Sequence, residues 1–279
     1  MIRFLSALLG WMALSHMANA QEITPLDPLG PALDMQLARI EDGLVLVAKD
    51  GRHFVLAGLW PLRRSHEGGD ITEDGLARMA KQRIERHLDH RLQIYPMDQT
   101  PDRYGRIRAH LVAATKDGKG LWINAMLLQQ GLARAFPLDD IPMLNDALYA
   151  AEATARAQNI GFWASARNAL YAAGDEAVMA QKAGEFAIVT GPIRSATKVD
   201  GTVYLNFGDD WRTDFTIRLL WPIRRTLPKG QRDPSWWAHK TVEVRGVLED
   251  LNGPLVTPLA PAQIRVLPAS PTRQSDPAP

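Results

Sequence analysis

The sequence predicts a mainly β protein with helices, α+β in class, built as two successive β-barrel modules. Three observations predict it. Asp50-Gly51 stands between two apolar runs, a strong short-range signal for a hairpin. Leu76, Ala80, Ile84 and Leu88 recur four residues apart and so share one helix face. The second half alternates apolar and polar residues in five short runs around one helical piece, "SWWAHK", which suits a small barrel of OB type.

Residues 1–20, "MIRFLSALLGWMALSHMANA", place Arg3 before an apolar run and end in Ala18-Asn19-Ala20. A charged start, a short apolar stretch and small residues at the cleavage point read as a secretory signal. An uncleaved anchor is the alternative, although the run is short for a bilayer. The expected location is therefore outside the cytoplasm, periplasmic or secreted, with no transmembrane segment after signal removal. Residues 21–37 are proline-rich and read as an extended lead-in.

The first module is expected over residues 38–171. Leu44–Ala48 and His53–Leu59 should pair around the Asp-Gly turn. A helix follows, with Thr72, Glu73 and Asp74 at its start. "RLQIYPM" and Ile107–Ala113 read as strands, "INAMLLQQG" as a short helix closed by Gly131, and "MLNDALYAAEATARAQNIGFW" as a longer one. Residues 172–183 are small, polar and without pattern, and are read as a linker. Residues 184–267 form the second β module, and 268–279 a disordered Pro/Ser-rich tail.

Composition narrows the chemistry. The 279 residues include no cysteine, which excludes disulfides, a thiol nucleophile and a thiolate metal site. Apolar residues make up 46% and charged residues 23%, enough for an ordinary core. The formal charge of +1 owes its excess to Arg3, so the chain without its signal is formally neutral. A dedicated duplex binder would be more basic, since phosphate neutralisation dominates affinity.

One stretch concentrates charge: "DRYGRIRAHLVA", Asp102 to Ala113. Together with the hairpin, "FVLAGLW", "INAMLLQQGLARAF" and "GFW", it gives residues 38 to 163 an order that resembles the staphylococcal-nuclease (thermonuclease) family. The resemblance implies a five-stranded OB barrel with helices and Ca²⁺-dependent phosphodiester cleavage. That chemistry uses hard oxygen ligands, a carboxylate base and two arginines. The second module is similar to a β-module attached to some bacterial thermonuclease-like proteins, on the segment "YLNFGDDWRTDFT".

Carried onto this chain, the family pattern loses most of its functional groups. After Asp42-Gly43, Leu44 stands where the first metal carboxylate belongs. Val55 replaces the first arginine, Trp60 the second metal carboxylate, Pro61 the neighbouring ligand, and Arg63 the glutamate base. Arg106 alone keeps its identity as a family catalytic position, with Tyr104 beside it. No catalytic set and no metal ligand set are therefore assigned, and no cofactor is expected. Ca²⁺ enters only in an alternative, a divergent nuclease in which Glu67 or Asp70 supplies displaced ligands.

The leading expectation is a binding or scaffolding module for single-stranded nucleic acid, another polyanion or a protein partner. A structural role in an envelope assembly is a third reading. The ligand-binding candidates are Arg106, Arg103, Tyr104, Arg63 and Tyr204. Arg63, Arg64 and His66 with Arg103, Arg106 and Arg108 would make a basic patch if they share a cleft; the alternative is a solvated surface. Arg106 itself is either a phosphate contact or a structural partner of Asp102. In "TVYLNFG", Phe207 falls on the core face with Val203 and Leu205, while Tyr204 and Asn206 share the other. Tyr204 is thus the better candidate for stacking on a base.

Overall fold

The computed structural model describes residues 26, 29–62, 71–115, 120–164 and 170–268. The expected signal 1–20, Arg63, Arg64, His66, Glu67, Asp70 and all of the expected tail except Pro268 lie outside them. Among the described residues, no helix is long and apolar enough to cross a membrane.

The first unit contains β1 (Leu33–Met35), β2 (Leu37–Glu41), a tight turn at Asp42–Leu44, β3 (Val45–Ala48), β4 (His53–Leu56) and β5 (Leu59–Pro61). There follow α1 (Ile71–Glu85), β6 (Leu92–Pro96), β7 (Arg106–Ala114), β8 (Gly120–Trp122), α2 (Ile123–Gln129), β9 (Ala133–Ala135) and α3 (Pro142–Gln158). The main sheet runs β1-β6-β7-β4-β3-β2, and β1 and β2 adjoin through Gln36, so the sheet curls back on itself. Only β4 and β7 run parallel along this path. This is the OB barrel expected for the first module.

The expected hairpin forms, with Val45, Leu46 and Val47 opposite Val55, Phe54 and His53. It is shorter than the apolar run suggested. Gly58 turns the chain at φ 71, and a Cβ there would strike Leu148 of α3. Leu59–Pro61 therefore leaves the hairpin and pairs with β9. Part of the lead-in also joins the barrel, since β1 pairs with β6 and Leu26 is buried.

Leu76, Ala80 and Ile84 of α1 and Leu144, Leu148, Ala151 and Ala155 of α3 are buried, as their spacing requires. Two buried polar side chains are hydrogen-bonded. Asn124 accepts from the Leu111 N–H at 3.0 Å and donates to the Ala57 carbonyl at 2.9 Å, which ties α2 to the strands beneath the cleft. His110 accepts from the Trp122 indole N–H at 3.2 Å, and burial holds its pKa down at about 3, so it stays neutral.

The second unit contains β10 (Leu170–Ala172), α4 (Glu176–Ala180), β11 (Phe186–Pro192), β12 (Ser195–Val199), β13 (Thr202–Asn206), β14 (Thr216–Leu219) and α5 (Trp221–Arg224). It ends with β15 (Thr241–Asp250), β16 (Pro254–Val256) and β17 (Ile264–Val266). The strand path is β10-β11-β15-β16-β14-β13-β12, with β11 and β12 adjoining in the chain. "SWWAHK" contributes a tight turn at Pro234–Trp236 and the buried Trp237.

The segment 172–183 is not the featureless linker that its composition suggested. β10 pairs parallel with β11, Asp175 accepts from the Ala172 N–H at 2.8 Å, and Met179 on α4 is fully buried in the second core. A five-residue helix is too short to display a period in sequence.

The two units share a buried joint. Along β11, Phe186 and Ile188 belong to the first core while Ala187 and Val189 belong to the second. On β15, Arg245 is fully buried and reaches back to α3. It pairs with Glu152 at 2.8 Å and Glu243 at 2.6 Å and donates to the Ala135 carbonyl at 2.6 Å. Arg156 joins Glu243 at 2.7 Å, and the Tyr149 hydroxyl donates to the Ala262 carbonyl at 2.6 Å. Burial alone would lower the Arg245 pKa, but Glu152, Tyr149 and Glu243 more than offset it and raise it.

Removing Arg245 leaves the buried Glu152 and Glu243 to share Arg156 alone. Arg245→Met is expected to cost about 3–5 kcal/mol of stability, measured by denaturant unfolding. A pH effect follows from Glu243. Burial raises its pKa, but Arg245 and Arg156 pull it below the ordinary 4.5, to about 2. The folded value is depressed, so its stabilisation is complete above about pH 4.5 and is lost as pH falls towards 2. Unfolding midpoints between pH 5 and 2.5 should drop less steeply in Glu243→Gln than in the parent.

Candidate functional site

The cleft stands where β4 and β7 run side by side. The parallel register sets His53 beside Arg106 and Val55 beside Arg108, while Phe54 points into the core. The Asp42–Leu44 turn closes one end, and the chain after Gly58 swings Trp60 and Pro61 across the other. Together with Phe136 and Leu138 they enclose a cavity of about 390 Å³. The fold thus brings Leu44, Val55, Trp60, Pro61 and Arg106, scattered over more than sixty residues, to the walls of one pocket.

Most of these walls are hydrocarbon. Leu44 is buried at φ 59, a left-handed conformation that costs a residue with a Cβ about 1–2 kcal/mol and is held here by burial. Trp60 lies flat on Phe186 of β11, ring centroids 4.8 Å apart, and meets Phe136 edge-on at 5.2 Å. Phe186 also meets Phe136 edge-on at 5.5 Å and carries the buried Arg134 guanidinium over its ring at 4.7 Å. Trp60 therefore serves the joint between the units as well as the pocket wall. Among the described lining residues, Asp42 is the one carboxylate. No group of three or more His, Asp or Glu among the described residues is placed to hold a metal ion.

The arginines divide into two kinds. Arg108 is clamped by Asp98 at 2.6 Å and Asp139 at 2.9 Å. Burial lowers its pKa, but those two carboxylates outweigh burial and raise it. Its charge is spent inside the protein, so Arg108 does not belong to a free basic patch.

Arg106 stands on a turn built for it. Asp102 Oδ1 accepts from the backbone N–H of Tyr104 at 2.8 Å and of Arg106 at 2.9 Å. Its Oδ2 accepts from Arg106 Nε at 3.0 Å and from the second guanidinium nitrogen at 2.8 Å. The Arg106 guanidinium, first by its side-chain hydrogen bond, draws the exposed Asp102 carboxyl down to about 2. Gly105 completes the turn at φ 74.

Tyr104 projects from the turn, 60% exposed, with the guanidinium of Arg103 over its ring at 4.8 Å and that of Arg106 at 4.7 Å. The structural role weighed for Arg106, pairing with Asp102, is thus present. It leaves the outer edge of the guanidinium at the cleft.

Of the candidates, Arg103, Tyr104 and Arg106 lie together. Tyr204 does not join them and lines a separate pocket on the second unit. Phe207, just past the end of β13, packs against the second core and against Phe215 at 5.1 Å, in step with Val203 and Leu205. His87 and His90 bring their Nδ1 atoms to 3.3 Å. Sequence reasoning missed Phe136 and Phe186 as partners of Trp60. The available signal was "EFAIV", apolar on both strand faces, which marks a strand buried on both sides.

Residues 56–165 match the family model described as Staphylococcal nuclease homologue. No curated protein matches the chain. The match takes in the cleft lining from Leu56 through Leu138, leaves out Leu44 and Val55, and agrees with the OB barrel found there.

Trp60→Ala should open the joint as well as the pocket. It is expected to cost on the order of 3 kcal/mol and to lower the melting temperature. An unchanged melting curve would mean that Trp60 is only a lining residue.

Proposed function

We propose that this chain, which carries a staphylococcal nuclease-like domain, is an exported protein that has given up phosphodiester cleavage and uses the remaining turn to bind a polyanion. The reading rests on one observation: the pocket that gathers the family's catalytic positions is walled by Leu44, Val55, Trp60 and Pro61 around a single kept arginine. Ca²⁺ takes six to eight oxygen ligands, and these side chains offer none. Loss of the general base alone costs about 10²–10⁴ in rate, and loss of one electrostatic stabiliser about 10²–10³ more.

What remains suits recognition without turnover. Arg103 and Arg106 flank Tyr104 on an exposed turn at the cleft mouth. Single-stranded nucleic acid is the polyanion that fits best, since a phosphate can meet the guanidinium edge and a base can stack on the exposed phenol. Arg63, which stands at the position the family pattern gives to the glutamate base, is a further candidate contact by sequence.

Two measurements on one preparation test this. Cleavage of single-stranded DNA should be absent both in Ca²⁺ and in chelator, while binding to a dT oligomer should weaken as salt rises. Arg103→Ala and Arg106→Ala should each lower the salt slope by about 0.7 per lost phosphate contact. Ca²⁺-dependent cleavage abolished by chelator would favour the divergent nuclease instead, with Glu67 or Asp70 as ligands. Binding untouched by both substitutions would refute the polyanion assignment.

A further inference from the structure

A second pocket, of about 460 Å³, lies on the outer face of the second unit, where β12, β13, β14 and β16 stand side by side. It shares no lining residue with the first cleft. Its rim is unusually apolar for a surface: Val199 is 50% exposed, Trp211 53% and Leu251 51%. Large apolar side chains gathered around one exposed pocket mark a binding site more often than chance exposure.

The polar groups of the pocket are all uncharged. Thr197 and Tyr204 face each other across the β12–β13 ladder. Beyond them Asn206 accepts from the Thr216 hydroxyl at 3.3 Å and donates to the Ser195 hydroxyl at 3.3 Å. The nearby cations are occupied. Arg218, opposite Tyr204 on β14, is held by Glu249 at 2.7 Å and Thr257 at 3.0 Å. Arg212 lies over the Trp211 ring at 4.7 Å and is paired with Asp210 at 3.6 Å.

We infer that this face binds an uncharged oligosaccharide, with sugar rings resting on Trp211 and Tyr204. Three physical arguments select that occupant. Phosphate-bearing ligands need cations, and no lining residue carries a charge. A purely apolar anchor would desolvate the Thr197, Tyr204 and Asn206 groups without giving them partners, which is costly. An uncharged polyol satisfies both halves of the pocket: its hydroxyls pair with hydroxyl and amide groups, and its C–H faces pack on aromatic rings. Barrels of OB type present this same sheet face, with the loop that Leu251 and Asn252 occupy here, to oligonucleotides and oligosaccharides. Charge decides between those two classes.

Isothermal titration of the purified protein with cellohexaose, maltohexaose and hexa-N-acetylchitohexaose, and with a dT oligomer, tests the inference. At least one hexasaccharide should bind saturably. Trp211→Ala and Tyr204→Ala should each weaken that binding roughly tenfold, with the melting curve of Trp211→Ala unchanged because that side chain is exposed. Arg103→Ala and Arg106→Ala should leave it unaltered, which separates this site from the polyanion turn. The inference is overturned if none of the three sugars binds, if binding survives both aromatic substitutions, or if these substitutions weaken dT binding instead.

Discussion

The indole of Trp60, lying flat on the phenyl ring of Phe186, is the contact on which the rest of the molecule turns. One ring comes from the cleft of the first barrel and the other from the first long strand of the second. Phe136 closes the cluster edge-on, and Arg134 covers another side of Phe186. A carboxylate at position 60 would have no place in such a cluster, because a charge buried against aromatic rings is expensive unless paired. Position 60 carries a ring that joins the first unit to the second. The ion network of Arg245, Glu152, Glu243 and Arg156 lies on the same joint and supplies directional contacts where the aromatic cluster supplies area.

The Asp102–Gly105–Arg106 turn is a separate device. Its carboxylate takes four hydrogen bonds from two backbone N–H groups and one guanidinium, so the turn is held by its own residues. These bonds hold an arginine and an exposed tyrosine in place next to a pocket with mostly apolar walls. Arg108, two residues further on, has the opposite fate. Asp98 and Asp139 neutralise it inside the protein.

The sequence revealed some of this and hid the rest for physical reasons. The three- and four-residue spacings in α1 and α3 and the Asp50-Gly51 turn were legible because each is a local pattern with a local cause. The family order was legible because the Asp-Gly hairpin, "FVLAGLW", "DRYGR" and "INAMLLQQGLARAF" follow one another along the chain. β5 and β9 were not, since three-residue strands cannot show alternation. α4 was hidden for the same reason, so its segment read as a linker. The clamp on Arg108 was hidden because Asp139 stands thirty-one residues away and nothing local announces it. The joint left a trace in "EFAIV", but an all-apolar strand says that both faces are covered and not by what.

Terbium luminescence probes the cleft most directly, because Trp60 would sensitise any Tb³⁺ ion held where the family pattern places its metal. The expected result is no saturable emission above that of a Trp60→Phe control. Saturable emission that is lost in this control and displaced by Ca²⁺ would show a hard-cation site beside the indole and contradict a cleft built of leucine, valine and tryptophan.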